Sequence, residues 1–321
     1  MKALIVNKYG SLADLELKET EKPIPESNEV LIKVKASSIN YKSLIFTKGE
    51  PFIGRLFTGL IKPNLRIPGN DVAGVVEAVG KDVKQFKPND EVFGDLATCG
   101  FGAFAEYVTE TEKSLILKPE NLSFGDAAAV PEAGLVALQA LRDHGKIQAN
   151  QSVLINGASG GIGTFAVQLA KYFGADVTAV CSSRNFDLVR SIGADHVIDY
   201  TKEDFTKYKP GFDLIIATAG YRPILDYKKA LKPNGIYVTT GGTMSQVFQA
   251  MLLGPLVSIS GGKKLTAMIV KVNKDLDFLK ELLETEKVKP VIDKRFSLDE
   301  IVDALKYYDQ GHTRGKIVIT V

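Results

Sequence analysis

The stretch Val153-Leu-Ile-Asn-Gly-Ala-Ser-Gly-Gly-Ile-Gly163 decides the fold of this chain. The run from Val153 to Asn156 predicts a buried parallel strand, the glycines after it predict a tight turn, and residues 161–173 predict a helix. Strand, glycine turn and helix in this order are the fingerprint of a dinucleotide-binding unit. In such a unit the pyrophosphate lies on the first N–H groups of the helix.

The glycine turn follows the spacing G-x-G-x-x-G, with Ala158 at the first glycine position. Gly160 is expected to let the backbone approach a pyrophosphate, and Gly163 to let the helix pack closely on the strand. A lone pattern of this kind is also compatible with a structural turn, but a second predicted strand at 176–181 favours nucleotide binding. The residues of the turn predicted to bind a cofactor are Ala158, Ser159, Gly160, Gly161, Ile162 and Gly163.

The composition is that of a globular protein: 321 residues, of which 45% are hydrophobic and 24% charged. This length suggests about two domains. A formal net charge of +2 gives no reason to expect nucleic acid or an anionic membrane as a partner. The apolar stretch 250–259 is too short to span a bilayer, so we predict a cytoplasmic protein without a membrane span. Cys99 and Cys181 are predicted to be free thiols, the latter as a small core residue.

The sequence divides into two parts that differ in composition and in predicted secondary structure. Residues 1–122 are rich in proline and in predicted strands, at 2–6, 30–36, 71–79, 91–93 and 104–108. From Ser123 a long helix is predicted at 127–144, and strands then alternate with helices as in a parallel sheet covered on both faces. The later elements are a helix at 275–284, a second helix capped by Ser297-Leu-Asp-Glu300, and a strand at 316–321.

Eight segments spread over nearly the whole chain carry a family pattern: Ser38-Ile-Asn-Tyr-Lys42, residues 68–80, Asp90-Glu-Val-Phe-Gly94, residues 102–107, residues 127–134, the glycine turn, residues 193–200 and Gly315-Lys-Ile-Val318. In this order they resemble the medium-chain dehydrogenase/reductase superfamily, and within it the zinc-independent quinone oxidoreductase branch. The resemblance implies a doubly wound Rossmann domain at 123–265 and a β-rich, GroES-like catalytic domain formed by residues 1–122 and 266–321.

The positions that hold zinc in zinc-dependent relatives carry other residues in this chain. Those relatives have Cys at the position of Asn40, His-Glu at Asn70-Asp71, and a third ligand near Glu132 or Ala133. A catalytic zinc needs three N, S or O ligands beside an open position, and a neutral amide binds zinc weakly. We therefore predict no metal. Without a Lewis acid, hydride donation to an electron-poor acceptor is favoured over ordinary alcohol oxidation.

The end of the second Rossmann strand indicates which nicotinamide cofactor binds. NAD-selective sites place Asp or Glu there, whereas this chain continues from Cys181 into Ser182, Ser183 and Arg184. Two hydroxyls and a guanidinium suit a 2′-phosphate, so NADPH is the predicted cofactor. The alternative is that the serines cap the next helix and Arg184 is merely solvated.

The resemblance adds further cofactor residues. Tyr200 matches a family position near the adenosine ribose phosphate, with a packed surface tyrosine as the alternative. The segments that follow later strands at the carboxyl edge of the sheet are expected to pass the adenosine, at Thr218, Ala219 and Gly220, and the nicotinamide, at Thr240, Gly241 and Gly242.

Asn40 and Tyr41 match the family positions nearest the nicotinamide and are the predicted catalytic residues. An amide or a phenol there can hydrogen-bond a carbonyl oxygen as negative charge builds on it. The alternative is that both residues only form a turn. Four apolar side chains are expected to line an apolar substrate pocket or a lid, or to belong to the core: Phe46, Phe52, Phe57 and Leu60.

The predicted function is hydride transfer from NADPH to a quinone or to an α,β-unsaturated carbonyl. An enoyl-thioester or 2-alkenal reductase is the alternative within enzymes. The alternative outside enzymes is an NADPH-binding protein with a structural or interaction role. A homodimer is a further expectation, with the apolar stretch 251–259 as a contact or as a cover of the substrate cleft.

Overall fold

The computed structural model describes the chain except for residues 65, 99, 209–210, 220–221, 242–243 and 259–261. Two compact units are present: one comprises Met1–Leu135, Val272–Glu286 and Ile292–Val321, and the other Val136–Lys271 and Lys287–Val291. The first unit thus extends beyond the predicted boundary at residue 122. The mixed α/β fold is as predicted. Within the described ranges, no helix combines the length and the apolar character needed to cross a membrane.

The described strands and helices are numbered here in chain order. The strands are β1 (Lys2–Ile5), β2 (Glu16–Glu19), β3 (Glu29–Ile39), β4 (Asp71–Val79), β5 (Glu91–Asp95), β6 (Tyr107–Thr111), β7 (Leu115–Leu117), β8 (Ser152–Asn156), β9 (Asp176–Cys181), β10 (His196–Asp199), β11 (Phe212–Ala217), β12 (Leu231–Thr239), β13 (Lys264–Ala267), β14 (Ile292–Ser297) and β15 (Lys316–Thr320). The α-helices are α1 (Tyr41–Lys48), α2 (Arg55–Thr58), α3 (Phe124–Ala128), α4 (Pro131–Leu138), α5 (Gly161–Tyr172), α6 (Phe186–Ser191), α7 (Ile224–Ala230), α8 (Met244–Phe248), α9 (Gly254–Ser258), α10 (Leu276–Glu284) and α11 (Ile301–Asp309).

The second unit is built on a parallel sheet of six strands in the order β10-β9-β8-β11-β12-β13. This is the strand order of the dinucleotide-binding fold, in which ligands bind at the carboxyl ends of the strands where the order reverses. That point lies between β8 and β11. Residues 153–155 of β8 are fully buried, because helices cover both faces of such a sheet. On one face Tyr227 stacks on Tyr237 with ring centroids 4.4 Å apart.

The first unit is built on a sheet of seven strands. Six follow the order β14-β15-β3-β4-β5-β7, and β6 pairs with the long strand β3. All these pairings are antiparallel except that of β14 with β15. The prediction of β4 was correct to the residue. The strand predicted at 104–108 lies instead at Tyr107–Thr111, and β2, β7, β13 and β14 were not predicted.

The single long helix predicted at 127–144 is wrong, because the chain there forms three pieces. Ser123 caps α3 by accepting a hydrogen bond of 3.1 Å from the N–H of Asp126. Pro131, which has no N–H to continue a preceding helix, begins α4. A π-helical turn at Gln139–His144 follows. The predicted capping box at Ser297 and Glu300 is present in full.

Candidate functional site

The glycine turn after β8 requires glycine at residue 157, one position before Ala158, where the G-x-G-x-x-G pattern was placed to begin. Gly157 has φ +86°, and a Cβ there would lie 2.7 Å from Oγ1 of Thr218. Both the backbone conformation and the close approach exclude a side chain. Ala158, which occupies the first position of the pattern, is fully buried instead. The Asn-Gly pair at 156–157 was the available signal for this turn.

The rest of the turn has the shape that a pyrophosphate requires. A Cβ on Gly163 would overlap the carbonyl oxygen of Gly157, so α5 packs directly on the turn. A Cβ on Gly160 would meet only that same oxygen, at 3.5 Å, so this side of the turn is open. Helix α5 begins at Gly161, and its first N–H groups precede the helical hydrogen-bond ladder. The residues present therefore fit a dinucleotide.

The segment after β9 is connected to the glycine turn by a residue that sequence analysis missed. Asn185 is 4% exposed, and its Nδ2 donates to Oγ of Ser159 at 2.9 Å and to Oγ of Ser182 at 3.3 Å. Arg184 is exposed, as is Tyr200. Ser159 and Ser182, two predicted cofactor residues, thus accept hydrogen bonds from the same buried amide group, that of Asn185.

A buried carboxylate lies beside the end of β9, although none follows that strand in sequence. Asp199 ends β10 and pairs in register with Cys181. Its Oδ1 accepts hydrogen bonds from Oγ1 of Thr201 at 2.7 Å and from the N–H of Thr201 at 3.0 Å. These bonds, and to a smaller degree the nearby Ser183 hydroxyl, hold the pKa of Asp199 below its usual value. Burial, with a further effect of the Asp199 charge, raises the pKa of the Cys181 thiol to about 11, so this predicted core cysteine is a thiol at neutral pH.

The remaining predicted cofactor segments follow β11 and β12 at the carboxyl edge that carries the glycine turn. Oγ1 of Thr218 donates to the carbonyl of Gly157 at 3.2 Å, which joins this segment to the turn. Ala219 accepts a hydrogen bond of 3.1 Å from the side chain of Asn156. Thr240 donates its N–H to the carbonyl of Ala217 at 3.0 Å, and Gly241 follows it. Two predicted residues lie outside the described part of the chain: Gly220 and Gly242.

In the first unit, the positions compared above with zinc ligands come together around a group of buried carboxylates. We call Asp71, Asp95 and Glu132 the carboxylate cluster, because one oxygen of each lies within 4.8 Å of the others. Asp71 and Asp95 are buried, and the Glu132 side chain is 12% exposed. Asn40 and Asn70 also reach the cluster, whereas Ala133 is a buried apolar residue.

Two amides bind the carboxylate cluster together. Nδ2 of Asn70 lies 2.9 Å from Oε2 of Glu132, 3.0 Å from Oδ1 of Asp95 and 3.2 Å from Oδ1 of Asp71. Nδ2 of Asn40 donates to Oδ2 of Asp71 at 2.8 Å. The Asn40 side chain is therefore fixed by the cluster and has little freedom to rotate.

Two ammonium groups offset the negative charge of the cluster. Nζ of Lys42 lies 3.2 Å from Oε1 of Glu132 and 3.9 Å from Oδ2 of Asp95. Nζ of Lys316 lies 3.5 Å from Oδ2 of Asp71. Burial opposes the charge on Lys42, but the carboxylates outweigh it and raise the pKa of this residue. The pKa of Asp95 is raised to about 7, mainly by burial and then by the charge of Asp71, against the attraction of Lys42.

Tyr41, the first residue of α1, differs from its neighbour Asn40 because its side chain is 49% exposed. Burial raises the pKa of Tyr308, and the charges of Glu132 and then of Tyr41 add to this effect. Tyr41 thus offers an accessible phenol on the residue that follows the rigidly held Asn40. An exposed phenol in this place can donate a hydrogen bond to a ligand oxygen.

The apolar residues predicted to line a pocket divide into two groups. Phe46 belongs to the core, where it is 1% exposed and packs on Phe101 with ring centroids 5.1 Å apart. Phe52 and Leu60 are exposed. The side chain of Phe57 lies outside the described part of the chain.

Three residues of this site were not predicted from the sequence: Lys42, Asp95 and Lys316. Lys42 and Lys316 nevertheless lie within segments that carry the family resemblance. A signal was available at Lys316, which begins an otherwise apolar strand and is 3% exposed. A buried lysine requires a carboxylate or carbonyl partner, so its presence there predicts a buried acid elsewhere.

The second unit contains a parallel sheet of the dinucleotide-binding type. The first unit has its own sheet, with a polar cluster where β3 and β5 end and β4 begins. These two features together define a two-domain nicotinamide-dependent oxidoreductase. The sequence matches the alcohol dehydrogenase GroES-like domain family over residues 26–120 and the zinc-binding dehydrogenase family over residues 192–319.

Curated relatives and solved structures agree with these matches. A chloroplastic quinone oxidoreductase from Triphysaria versicolor is 38% identical over 99% of this chain and 98% of its own length. An NADPH-dependent alkenal/one oxidoreductase from Arabidopsis thaliana is 34% identical, over 99% of this chain and 79% of its own. The structure of the quinone oxidoreductase from Coxiella burnetii superposes with a TM-score of 0.90 at 31% identity, over 100% and 99% of the two chains. The chain belongs to the quinone oxidoreductase-like branch of the medium-chain dehydrogenase/reductase superfamily.

Proposed function

We propose that this oxidoreductase uses NADPH to reduce a quinone or the carbon–carbon double bond of an α,β-unsaturated carbonyl, and that it works without zinc. The observation that carries the proposal is the cluster around Asn70, where two amides stand at the positions of metal ligands and two ammonium groups offset the carboxylates. The names of the Triphysaria and Arabidopsis relatives support the two classes of acceptor.

The cluster does not fit a catalytic zinc. Asn40, Asn70 and the carboxylate cluster supply neither thiolate nor imidazole, the ligands that dominate zinc sites. The Lys42 ammonium lies 3.2 Å from Oε1 of Glu132, so a metal at that carboxylate would meet a fixed positive charge. These residues therefore favour an acceptor that needs no Lewis acid.

The second unit offers binding groups for NADPH, which supplies the hydride when bound. The open side of Gly160 and the first N–H groups of α5 suit the pyrophosphate. The exposed guanidinium of Arg184 and the phenol of Tyr200 suit the 2′-phosphate, because both donate to phosphate oxygens. The name of the Arabidopsis relative agrees with NADPH.

In the first unit, Tyr41 and Asn40 have different roles in the proposal. The Tyr41 hydroxyl donates a hydrogen bond to the acceptor oxygen as negative charge develops there. Asn40, held by Asp71, fixes the entry to α1 and so the position of Tyr41. Quinones and enones are intrinsically electron-poor, so a hydrogen bond from one neutral donor polarises their carbonyl group sufficiently.

The test is the oxidation of NADPH by the purified protein with a panel of quinones, enals, enones and one enoyl thioester. We expect turnover with at least one quinone or enone. Gly163→Val is the control, because its side chain would overlap the turn and abolish cofactor binding. Turnover only with the thioester would assign the enoyl-thioester reductase activity instead. Tight NADPH binding without any turnover would indicate a binding protein.

The cytoplasmic location and the homodimer stay predictions. Cell fractionation and sedimentation of the purified protein check them.

A further inference from the structure

An exposed serine and a buried carboxylate lie near the carboxyl ends of β9 and β10 in the parallel sheet. Asp199 is 3% exposed, and its Oδ1 is occupied by the two bonds from Thr201. Its Oδ2 has no hydrogen-bond partner that meets ordinary geometry among the described residues, and Nζ of Lys202 is 3.8 Å away. The Ser183 hydroxyl lies close to this carboxylate. A buried carboxylate oxygen without a bonded donor is costly, so it attracts a rotatable hydroxyl.

The strand register explains why this pair lies where a cofactor binds. Asp199 pairs with Cys181, the last residue of β9, and Ser183 follows Cys181 by two residues. In the dinucleotide-binding fold, the residue at the end of this second strand contacts the ribose hydroxyls of the adenosine. The carboxylate absent from the end of β9 is therefore supplied from the end of the neighbouring strand β10.

We propose that Asp199 is a positioning residue for cofactor selection that acts through Ser183. The Ser183 proton turns toward the carboxylate, and its oxygen then presents lone pairs to the ribose. Such an acceptor suits the 2′-hydroxyl of NADH and disfavours a 2′-phosphate, which needs donors. Arg184 acts in the opposite direction. The chain consequently binds NADH as well as NADPH. This inference rests on the proposed function, since it requires a nicotinamide dinucleotide at this edge.

The experiment measures the dissociation constants of NADPH and NADH by fluorescence titration for the wild type, three single variants and one double variant. In Asp199→Asn the new amide can donate to Ser183, which then donates to the phosphate. We expect the preference for NADPH over NADH to rise about tenfold, the equivalent of one hydrogen bond to a charged group. Ser183→Ala removes the acceptor and should weaken NADH by roughly threefold to tenfold.

Asp176→Asn is the matched control. Asp176 is an exposed residue at the opposite end of β9, where it pairs with His196 at 3.3 Å, and its replacement removes the same charge. We expect no change in the preference. If Asp199 acts through Ser183, then Asp199→Asn in the Ser183→Ala background should change the preference less than twofold.

Two results would overturn the inference alone: an unchanged preference in a folded Asp199→Asn, or an equal shift with and without the Ser183 hydroxyl. If Asp199→Asn does not fold, Ser183→Ala still tests the proposal, because Ser183 is exposed and its replacement should not disturb folding. An unchanged NADH affinity of Ser183→Ala would contradict the proposal. Absence of binding of both cofactors to the wild type would instead contradict the proposed function itself.

Discussion

Replacing Asp95 by asparagine should stabilise the protein at alkaline pH and leave it nearly unchanged in acid. The pKa of Asp95 is raised to about 7, mainly by burial, whereas an aspartate in an unfolded chain titrates near about 3.9. Between these values the folded protein keeps a proton that the unfolded chain has lost. The free energy of unfolding therefore falls as pH rises through this window, and the contribution is lost once pH exceeds the folded pKa.

The size of the effect follows from the same two values. A difference of about three pH units corresponds to about 4 kcal/mol, at about 1.4 kcal/mol per unit. This is an upper limit, because Lys42 and Asp71 are coupled to Asp95 and adjust when its charge is removed. The amide of the Asp95→Asn variant would keep the acceptor Oδ1 that now receives Nδ2 of Asn70 at 3.0 Å and the N–H of Ala97 at 2.9 Å. The substitution thus isolates the charge.

The assay is urea unfolding followed by far-ultraviolet circular dichroism at a series of pH values from about 4 to about 8. The chain contains no tryptophan, so circular dichroism serves better than intrinsic fluorescence. Asp82→Asn, an exposed aspartate of the first unit, is the control and should follow the wild type. Parallel pH profiles of the wild type and Asp95→Asn would refute the reasoning.

Three further predictions concern the cofactor and the chemistry. Protein purified without chelator should contain well under one zinc per chain by elemental analysis, and stoichiometric zinc lost together with activity would overturn the zinc-independent assignment. Arg184→Ala should weaken NADPH roughly tenfold or more in a binding titration and leave NADH nearly unchanged; an equal loss for both would make Arg184 structural. Tyr41→Phe should lower kcat/KM more for an enone than for a quinone, by less than the roughly 3–4 kcal/mol of a full oxyanion donor, with NADPH affinity unchanged. Equal enone rates for wild type and variant would remove Tyr41 from the chemistry.

The parts of the fold that could be predicted are those whose signals are local. The strand β8, the glycine turn and α5 follow each other within residues 152–172, and each is encoded by its own residues. The helix predicted without a break at 127–144 was wrong although the signal against it is also local, because Pro131 cannot continue a preceding helix and begins α4 instead. The short strands β2, β7, β13 and β14 carry too few residues to show a period, and their partners determine them.

The polar clusters escaped prediction because they join residues that are remote in sequence. Lys316 and Asp71 are separated by 245 positions, and nothing near either residue indicates the other. Asp199 is likewise remote in sequence from the end of β9, and only the pairing of β10 with β9 brings it beside Cys181. Asn40 was singled out from the family resemblance, but its rigid attachment to Asp71 emerged only from the structure.

The position of β15 has a consequence for how the protein is made. This strand pairs with β3 in the first unit's sheet, and it brings Lys316 to Asn40 and Asp71. A ribosome synthesises β15 only after the whole stretch Val136–Lys271 has left it. Until then the sheet of the nascent first unit lacks β15, and the buried Asp71 lacks the ammonium group of Lys316. The second unit can already fold at this stage. During synthesis, the parallel sheet of the second unit can therefore form before the polar cluster of the first unit is complete.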